Sequence, residues 1–394
     1  MYKSKNTDGL KPGWRRVKFG DVVRQSKEKA APETSGLDRY IAGDHMDTDD
    51  LRLRRWGEIG SGYLGPAFHI RFRPGQVLYG SRRTYLRKVA IADFEGICAN
   101  TTFVLESNDG KVLLPEYLPF LMQTDAFNAY SVKNSKGSVN PYINFSDLTK
   151  FEFALPSITE QVRIVKLLLA IQEQTREIED CLFAANMLYK SVIEVTYCAS
   201  NDMVSRLTDM AKINPDQLST KEVSEDRVIS YIDIGTISEP KVIDEIAEIN
   251  LRNASSRARR KVQDGDLIIS TVRPNLKSFA RITHEHAGAI VSTGFAVVRA
   301  NMDFERSFIF HGFFSSHFDK FCVSKNEGTS YPAIKSGDLA EFTYPRYSLE
   351  RRREIGDRLD VLERTILRIK ERLKASQNLA VTWRNTLMEL RNVI

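Results

Sequence analysis

The chain has 394 residues, of which 42% are hydrophobic and 27% are charged, and its formal net charge is +6 at pH 7. These values describe an ordinary soluble globular protein of two or more domains. No apolar run approaches the length of a membrane span, which is about eighteen residues. The N-terminal residues also lack the apolar stretch of a signal peptide. The small excess of cations suits an acidic partner such as DNA without requiring one.

The cysteines are scattered along the chain and form no Cys-x-x-Cys pair. They are Cys98, Cys181, Cys198 and Cys322. This distribution favours reduced thiols and argues against a structural zinc site. We therefore expect a cytoplasmic protein that holds no metal.

A mixed α/β domain is predicted over residues 14–156, after a short leader over 1–13. Strand-like runs cover 76–79 and 101–105, and they lie between loops rich in Gly, Pro and Arg. A helical pattern covers 115–130. Short strands and a helix in this order indicate a compact domain with its own core.

A long helix is predicted over 157–199, directly after this domain. Apolar or small residues recur at alternating intervals of four and three, which is the heptad seam of a coiled coil. The seam comprises Ile164, Leu168, Ile171, Thr175, Ile178, Leu182, Ala185, Tyr189 and Val192. Pro156 lies just upstream, and no proline interrupts the pattern. A helix of roughly 40 residues extends roughly 60 Å.

The second half of the chain repeats the first at a constant interval (328 − 137 = 191). Matched pairs are Tyr40/Tyr231, Gly137/Gly328, Pro141/Pro332, Ile143/Ile334, Asp147/Asp338, Leu148/Leu339, Phe151/Phe342, Ile164/Ile355, Leu168/Leu359, Ile178/Ile369, Leu182/Leu373 and Leu188/Leu379. The repeat predicts a second mixed domain over 200–347, with strands in 262–271 and 295–298 and a helix over 308–321. A second seam helix is predicted over 348–394. A repeat of this length is a whole domain with its connector, not a solenoid unit.

The two seams need a partner, because a narrow apolar seam on a lone helix would stay exposed. In one arrangement each helix packs on its own domain, and in the other the two helices pack on each other. The equal lengths and the shared register of the two helices favour the second arrangement. We therefore predict an α+β fold with two similar mixed domains and two long helices that form an antiparallel coiled coil. The internal repeat predicts approximate twofold symmetry.

Motifs at the domain starts and helix entries carry a family resemblance. They are Gly13-Trp14-Arg15-Arg16-Val17, Lys136-Gly137-Ser138, Asn144-Phe145-Ser146-Asp147-Leu148 and Phe153-Ala154-Leu155-Pro156-Ser157-Ile158-Thr159-Glu160-Gln161. With these motifs the chain resembles, over nearly its full length, the specificity (S) subunit of type I restriction–modification systems. The second copy departs from the pattern, because Arg351-Arg352 stand where Glu160-Gln161 map.

The resemblance implies a prokaryotic, non-catalytic subunit of a restriction endonuclease and adenine methyltransferase complex. Each mixed domain would be a target recognition domain that reads one half of a split, asymmetric site in double-stranded DNA. The helix pair would set the spacing of the two halves. Modification (M) subunits, two of them, would bring S-adenosylmethionine, and restriction (R) motor subunits would use ATP and Mg. No cofactor is expected in this chain.

The sequence carries no complete motif for phosphate-loop ATPase or amino-methyltransferase chemistry. No Gly-x-x-x-x-Gly-Lys-[Ser/Thr] phosphate loop is present. Asn140-Pro141-Tyr142 resembles part of an amino-methyltransferase tetrapeptide, but it lacks the second proline and is better interpreted as a turn before a strand. We therefore predict no catalytic residue.

Metal-binding patterns are equally short. Asp233, Glu239 and Lys241 form a nuclease-like pattern that arises easily by chance in a charged chain. His284-x-His286 has no further ligand nearby, so a solvated loop is expected there. A solvated turn is also expected for the acidic run Asp44, Asp47, Asp49 and Asp50.

Basic residues cluster in loops, as a DNA-reading protein requires. The candidate DNA-binding residues of the first half are Arg52, Arg54, Arg55, Arg82, Arg83, Tyr85, Lys88, Lys133, Lys136 and Ser138. Those of the second half are Arg257, Arg259, Arg260, Arg273, Asn275, Lys277, Lys325, Ser330 and Tyr331. The loop around Arg83 recurs around Arg273 (273 − 83 = 190), and arginine and asparagine can bond guanine and adenine edges. A solvated surface side chain is the alternative at each position.

Arg351-Arg352-Arg353 opens the second long helix, where cations oppose the helix dipole. This conflict is explained either by an acidic partner, DNA or protein, or by a solvated helix start. Three alternatives to the main functional prediction also stay open. They are the S-like subunit of a related two-subunit restriction–modification enzyme, a metal-dependent nuclease, and a purely structural coiled-coil scaffold.

Overall fold

The structure is a computed structural model that describes residues 10–198, 204–223, 226–237, 241, 243–325 and 333–388. The chain divides into two compact units. The first comprises Met1–Ile178 and Arg372–Ile394, and the second comprises Glu179–Glu371. Each unit therefore contains one mixed α/β domain and a segment of both long helices.

Within the described residues, each domain contains ten short strands and several short helices. The strands are β1 (Arg15–Lys18), β2 (Val23–Ser26), β3 (Arg39–Ile41), β4 (Gly57–Glu58), β5 (Phe68–Phe72), β6 (Val77–Gly80), β7 (Val89–Ile91), β8 (Gly96–Ala99), β9 (Thr102–Ser107), β10 (Glu152–Leu155), β11 (Val204–Arg206), β12 (Ala211–Ile213), β13 (Val228–Ile232), β14 (Ala247–Asn250), β15 (Ala258–Lys261), β16 (Leu267–Ser270), β17 (Phe279–Arg281), β18 (Ile290–Ser292), β19 (Phe295–Ala300) and β20 (Thr343–Pro345). The α-helices are α1 (Phe19–Val22), α2 (Tyr117–Met122), α3 (Asp125–Lys133), α4 (Phe145–Leu148), α5 (Ile158–Tyr197), α6 (Leu207–Met210), α7 (Thr220–Val223), α8 (Glu305–Gly312), α9 (Ser316–Ser324) and α10 (Leu349–Met388).

The two domains have the same sheet topology. The sheets of the first unit have the strand orders β1-β10, β2-β9-β6-β7 and β4-β3-β8-β5. Those of the second unit are β11-β20, β12-β19-β16-β17 and β14-β13-β18-β15, which is the same set with ten added to every label. The duplication inferred from the sequence is therefore a duplication of strand pairing.

The core of each domain lies between one four-stranded sheet (β2-β9-β6-β7 or β12-β19-β16-β17), the two short helices and the start of a long helix. In the first unit, Phe19, Val77 and Leu105 pack with Phe127, and Ile164 of α5 completes the cluster. Side chains alternate along the strands of this sheet, so Leu78 and Val104 face the other way and form a second core with the other four-stranded sheet. This sandwiched sheet holds the loops at its strand ends in fixed positions.

The prediction of one helix over 115–130 and one over 308–321 is wrong in one respect, because each region contains two helices. A short turn separates α2 from α3, and another separates α8 from α9. Thr124 caps α3 by accepting the amide of Phe127, and Ser315 caps α9 by accepting the amide of Phe318. In both units a hydroxyl residue at the N-cap position starts the second helix within an apolar stretch, and the two residues occupy the same position in the repeat.

The long helices α5 and α10 each have 40 residues. In the first unit, Ile164 and Leu168 of α5 share a core with Met388 of α10, and Thr175 Oγ1 lies 2.8 Å from Ser376 Oγ. Residue numbers therefore increase along α5 in the direction in which they decrease along α10, so the two helices are antiparallel. The predicted α+β fold with antiparallel long helices is confirmed. The helices also pack on the domains, so the two alternatives for covering the seam occur together.

The same antiparallel packing occurs in the second unit. Tyr189, Ile193 and Tyr197 of α5 are buried in one cluster with Ile355 and Leu359 of α10. These seam residues contact the domain core as well as the facing helix. No helix within the described part of the chain is both long and apolar enough to cross a bilayer.

The two long helices start with different side chains in the same role. Gln161 is fully buried, and its amide group bonds the backbone of Val112, Leu114 and Pro156. Its repeat partner Arg352 donates to Glu305 at 2.7 Å. The acidic partner of Arg352 is thus Glu305 of the same chain. Neither DNA nor a solvated helix start is needed to explain the arginine at this position.

The helix ends also have matching contacts. Asn385 of α10 accepts the amide of Asp125, the first residue of α3, at 3.0 Å. Glu194 of α5 accepts the amide of Ser316, the first residue of α9, at 2.9 Å. These positions differ by the repeat interval (385 − 194 = 191). Each long helix therefore ends by binding the start of a short domain helix.

Candidate nucleic-acid interface

A tight turn follows β6 in the first unit and β16 in the second. Each turn is a single 3-10 helix, Thr84–Leu86 or Pro274–Leu276, with a left-handed residue on either side. The φ angles are 50° and 51° at Arg83 and Arg87. Those at the second turn are 49° and 54°, at Arg273 and Lys277. Left-handed backbone is unusual for residues other than glycine, so its recurrence marks a constrained feature of both domains.

In the first unit a second loop joins this turn. Tyr142 forms isolated β-bridges with both Arg82 and Lys136. The Arg83 amide donates to the Pro141 carbonyl at 2.6 Å, and Arg83 Nε donates to Asn140 Oδ1 at 2.9 Å. The loops predicted around Arg82 and around Lys136 are therefore one continuous surface.

We call this surface the first basic edge, and its members are exposed. It comprises Arg82, Arg83, Tyr85, Lys133, Lys136, Ser138, Asn140 and Tyr142. Tyr85 and Tyr142 expose 52% and 43% of their residue surface, so both can contact a partner. Lys136 also pairs with Asp147 at 2.9 Å, which neutralises part of its charge. The edge thus combines cations, amide and hydroxyl groups and aromatic rings, as a protein that contacts phosphates and bases requires.

The second unit has a related turn, which we call the second basic edge. Arg273 and Asn275 are exposed at this turn, and Val272 bridges Ala333 as Arg82 bridges Tyr142. Lys325 pairs with Glu341 at the end of α9. Ser330 and Tyr331 lie outside the described residues. The described part of this edge therefore retains the duplicated turn and its neighbouring strand.

Lys277 differs from its neighbours in the turn, because its side chain lies inside the domain. Its amine donates to the Phe313 carbonyl at 3.0 Å and pairs with Asp319. Only 17% of the side chain is exposed. This geometry favours a structural role over the predicted contact with DNA.

Within the acidic run of the first unit, where a solvated turn was expected, two carboxylates form ion pairs. Asp50 bonds Arg52 and Arg54, at 3.0 and 2.8 Å, and Asp47 bonds Arg55. The carboxylates thus neutralise much of the charge of these three predicted DNA-binding arginines. The arginine side chains are 40–57% exposed, so phosphate groups can reach them.

The remaining candidates occupy varied positions. Lys88 donates to the Gly43 carbonyl, and Arg257 is exposed before β15. Arg259 donates to the carbonyl of Ala258. Arg260 is half-buried and donates to Ser336 Oγ at 2.9 Å, and burial lowers the pKa of its guanidinium. Among these four, Arg257 is the most accessible to a partner.

Three surface residues were missed by the sequence reasoning. Tyr63 is 93% exposed in a loop that contains Gly60, Gly62 and Gly65, and Asn140 and Tyr142 belong to the first basic edge. The cluster of turn-forming residues over 137–141 was the available signal for the last two. An exposed aromatic ring in a glycine-rich loop was the signal for Tyr63.

The nuclease-like pattern is not a cluster in the structure. Asp233 caps a short 3-10 helix by accepting the amides of Gly235 and Thr236, whereas Lys241 binds Glu363 and Tyr189. Glu239 lies outside the described residues. His286 Nδ1 lies 2.8 Å from Thr283 Oγ1 in the loop before β18.

A buried ion-pair cluster in the second unit comprises Lys241, Arg281, His311, Asp360 and Glu363. His311, Asp360 and Glu363 bring three potential ligand atoms within 4.8 Å of one another. However, Arg281 donates to both carboxylates, and Lys241 lies 2.9 Å from Glu363. Cations of the protein therefore occupy the space between the carboxylates, and we assign the group to packing rather than to metal binding.

Protonation of His311 should control the stability of the second unit. Burial lowers the pKa of His311 to about 4 from an ordinary value of 6.5. The unfolded chain therefore binds the extra proton at a higher pH than the folded chain. Stability should fall by about 3 kcal/mol as the pH decreases from 6.5 to 4. Urea unfolding followed by far-ultraviolet circular dichroism measures this dependence.

His311→Gln should remove most of that pH dependence, because glutamine does not titrate. His317→Gln is the matched control, since His317 is in the next helix and its imidazole is partly exposed. The control should keep the dependence of the wild type. An unchanged slope in His311→Gln would assign the effect to other groups.

The fold of this chain is similar to that of chains in two solved structures of restriction–modification systems. A chain in a structure of the type I R-M system superposes with a TM-score of 0.61 at 20% identity, over 98% of this chain and 99% of that chain. The type I restriction–modification S subunit of M. genitalium superposes with a TM-score of 0.58 at 12% identity, over 98% and 97%. At these identities the similarity shows the fold.

Sequence comparison finds the same similarity. Residues 13–181 match the family model of the type I restriction modification DNA specificity domain. The type I restriction enzyme EcoDI specificity subunit of Escherichia coli is 25% identical over 197 residues, or 49% of this chain and 43% of that subunit. The chain thus matches less than half the length of this relative. The predicted resemblance to type I specificity subunits is confirmed.

Proposed function

We propose that this chain reads a bipartite, asymmetric sequence in double-stranded DNA, with one half-site bound by each domain. The observation that carries the proposal is the duplicated turn with exposed Arg83 and Tyr85 in one unit and Arg273 and Asn275 in the other. Two equivalent turns on two equivalent domains suit two separate half-sites. Their side chains differ, so the two half-sites would differ in sequence.

Affinity and specificity would come from different groups. Lys133 and Lys136 of the first basic edge suit phosphate contacts, as do the arginines that pair with Asp47 and Asp50. Such contacts are independent of sequence and sensitive to salt. Arg273 suits guanine and Asn275 suits adenine, because each can form two hydrogen bonds with that base in the major groove. Tyr85 and Tyr142 offer apolar contact and a hydroxyl group.

In this proposal catalysis belongs to other polypeptides. The chain would recruit two modification subunits, which use S-adenosylmethionine, and restriction subunits, which use ATP and Mg. It would need no cofactor of its own. The related two-subunit enzyme, in which one partner both cleaves and methylates, stays the second candidate, because the fold of the specificity subunit is the same in both arrangements.

Arg273→Ala is expected to relax sequence preference in one half-site only. Losing a bidentate contact with guanine costs about 1–3 kcal/mol, or roughly 5- to 150-fold in discrimination at that base. The measurement is selection of bound sequences from a random DNA pool by the full chain, assembled with the modification subunits of its source organism. Sequencing the selected DNA gives the preference at every position.

Lys212→Ala is the matched control, because Lys212 is an exposed cation on the edge strand β12, distant in sequence from the turn. It should leave both half-sites unchanged. A uniform loss of affinity over all sequences for Arg273→Ala would assign Arg273 to phosphate contact. Selection of no preferred sequence by the wild type would contradict the proposed function itself.

A further inference from the structure

The last residue of each duplicated turn has its side chain inside the domain. Arg87 follows the 3-10 helix of the first turn, and only 16% of its side chain is exposed. Its Nε bonds the Asp49 carboxylate at 2.9 Å, its Nη1 bonds Asp125 at 2.8 Å and its Nη2 donates to the Gln123 carbonyl at 2.6 Å. Every nitrogen of the guanidinium thus has a partner in the protein.

Lys277 occupies the same position in the second turn and has equivalent partners. Its amine donates to the Phe313 carbonyl and pairs with Asp319. It also lies 5.3 Å from the centre of the Phe318 ring. In both units, therefore, the cation binds a carbonyl at the junction of the two short helices and a carboxylate in the first turn of the second helix.

These contacts oppose a strain in the backbone. Each turn has two left-handed residues that are not glycine, and this conformation is unfavourable for a residue with a Cβ atom. The turn itself contributes two backbone hydrogen bonds, from Leu86 to Arg83 and from Arg87 to Thr84 in the first unit. A strained turn keeps its conformation when the surrounding structure supports it. The inward cation provides that support from one end of the turn.

The helix junction that holds the cation is held in turn by a long helix. Asp125 accepts bonds from Arg87 and from Asn385 of α10, at 2.8 and 2.7 Å. Buried Arg384, next to Asn385, donates to Gln123 Oε1 at 2.9 Å. The first turn is thus fixed relative to the end of α10. In the second unit Glu194 holds Ser316 at the start of α9.

We propose that Arg87 and Lys277 are positioning residues for DNA reading, one in each unit, which hold the exposed residues of the turn in place without contacting DNA. This inference rests on the proposed function and revises the sequence prediction for Lys277. Arg87 would position Arg83 and Tyr85, and Lys277 would position Arg273 and Asn275. The two residues act on different half-sites, because they belong to different domains.

The test replaces each cation by an uncharged side chain of similar length, Arg87→Met or Lys277→Met, in the full chain with its modification subunits. Selection from a random DNA pool should show at least about tenfold weaker discrimination in one half-site for each variant, and the affected half-sites should differ. The other half-site should stay at wild-type preference, which shows that the protein has folded. The slope of affinity against salt should also stay unchanged, since no phosphate contact is lost.

Conservative variants separate charge from bulk. Lys277→Arg and Arg87→Lys keep a cation that can reach the same carbonyl and carboxylate, so they should restore most of the discrimination. Arg24→Met and Lys212→Met are matched controls, because each removes an exposed cation from an edge strand, β2 or β12. Both controls should bind like the wild type.

The inference is overturned if Arg87→Met and Lys277→Met keep wild-type discrimination, or if they weaken binding to all sequences evenly with a shallower salt dependence. The second result would make them phosphate contacts. If the Met variants lose both half-sites through unfolding, Arg87→Lys and Lys277→Arg decide. Discrimination retained in both half-sites then supports positioning by the cation, and an even loss of binding over all sequences overturns it. A wild type that selects no sequence overturns the proposed function, and the inference with it.

Discussion

Glu363→Ala is expected to destabilise the second unit by about 3–5 kcal/mol, because it removes one partner of a buried ion pair and leaves Lys241 without the carboxylate it pairs with. Glu363 is 7% exposed, and its carboxylate bonds both Lys241 and Arg281. Burial raises the pKa of Glu363, but the charges of Arg281 and Lys241 outweigh burial and keep the pKa below its ordinary value. The carboxylate is therefore ionised in the folded protein at neutral pH.

The position of the tryptophans allows the loss to be assigned to one unit. Trp14, Trp56 and Trp383 all belong to the first unit. In urea, tryptophan fluorescence should therefore keep its wild-type midpoint, while the part of the far-ultraviolet circular dichroism that reports the second unit should unfold at lower urea. Hydrogen exchange of residues 179–371 should increase in parallel.

Glu354→Ala is the matched control on the same helix. Glu354 pairs with Arg351 and Arg358 on the exposed face of α10, where water screens ion pairs and they contribute little to stability. If Glu363→Ala had no larger effect than this control, the buried cluster would not stabilise the unit. Equal shifts in fluorescence and circular dichroism would instead show that the two units unfold together.

Deleting one heptad from each long helix is expected to shorten the spacer between the half-sites by about three base pairs and leave the half-sites unchanged. A heptad is about 10.5 Å long in an α-helix, and DNA rises about 3.4 Å per base pair. Residues 172–178 and 373–379 are suitable segments, because Thr175 and Ser376 lie opposite each other. Mapping methylated adenines in a host that carries the variant measures the spacer.

Deleting the heptad from only one helix is the control. The two helices would then differ in length, and Asn385 or Glu194 would no longer reach its short helix. We expect loss of stability or of DNA binding rather than a new spacer. If the double deletion altered the recognised bases at constant spacing, the long helices would not set the distance between half-sites.

Most elements of the fold were predictable because they follow from periodic patterns. The heptad seams predicted α5 and α10, and the repeat predicted equal lengths and equivalent domains. The breaks at Thr124 and Ser315 were missed, because a single capping hydroxyl in an apolar stretch resembles a tolerated helix residue until the backbone is seen. Propensity alone cannot show which of these two outcomes the surrounding core favours.

The candidate site was less predictable, because it depends on contacts between distant parts of the chain. Arg82 and Lys136 were identified separately, and only the bridges through Tyr142 show that they share a surface. Lys277 was interpreted as a surface cation, since nothing in its sequence neighbourhood indicates a left-handed backbone. The buried cluster was missed for the same reason, as Arg281 and Asp360 are far apart in sequence.

The burial of Met388 has a consequence for synthesis on the ribosome. This side chain, at the end of α10, is 3% exposed and belongs to the core of the first unit, with Ile164 and Leu168. A nascent chain that has released only residues 1–178 therefore leaves that apolar surface open until α10 has also been synthesised. Chaperone binding or premature aggregation is most expected during this interval, and chains truncated before α10 should be insoluble.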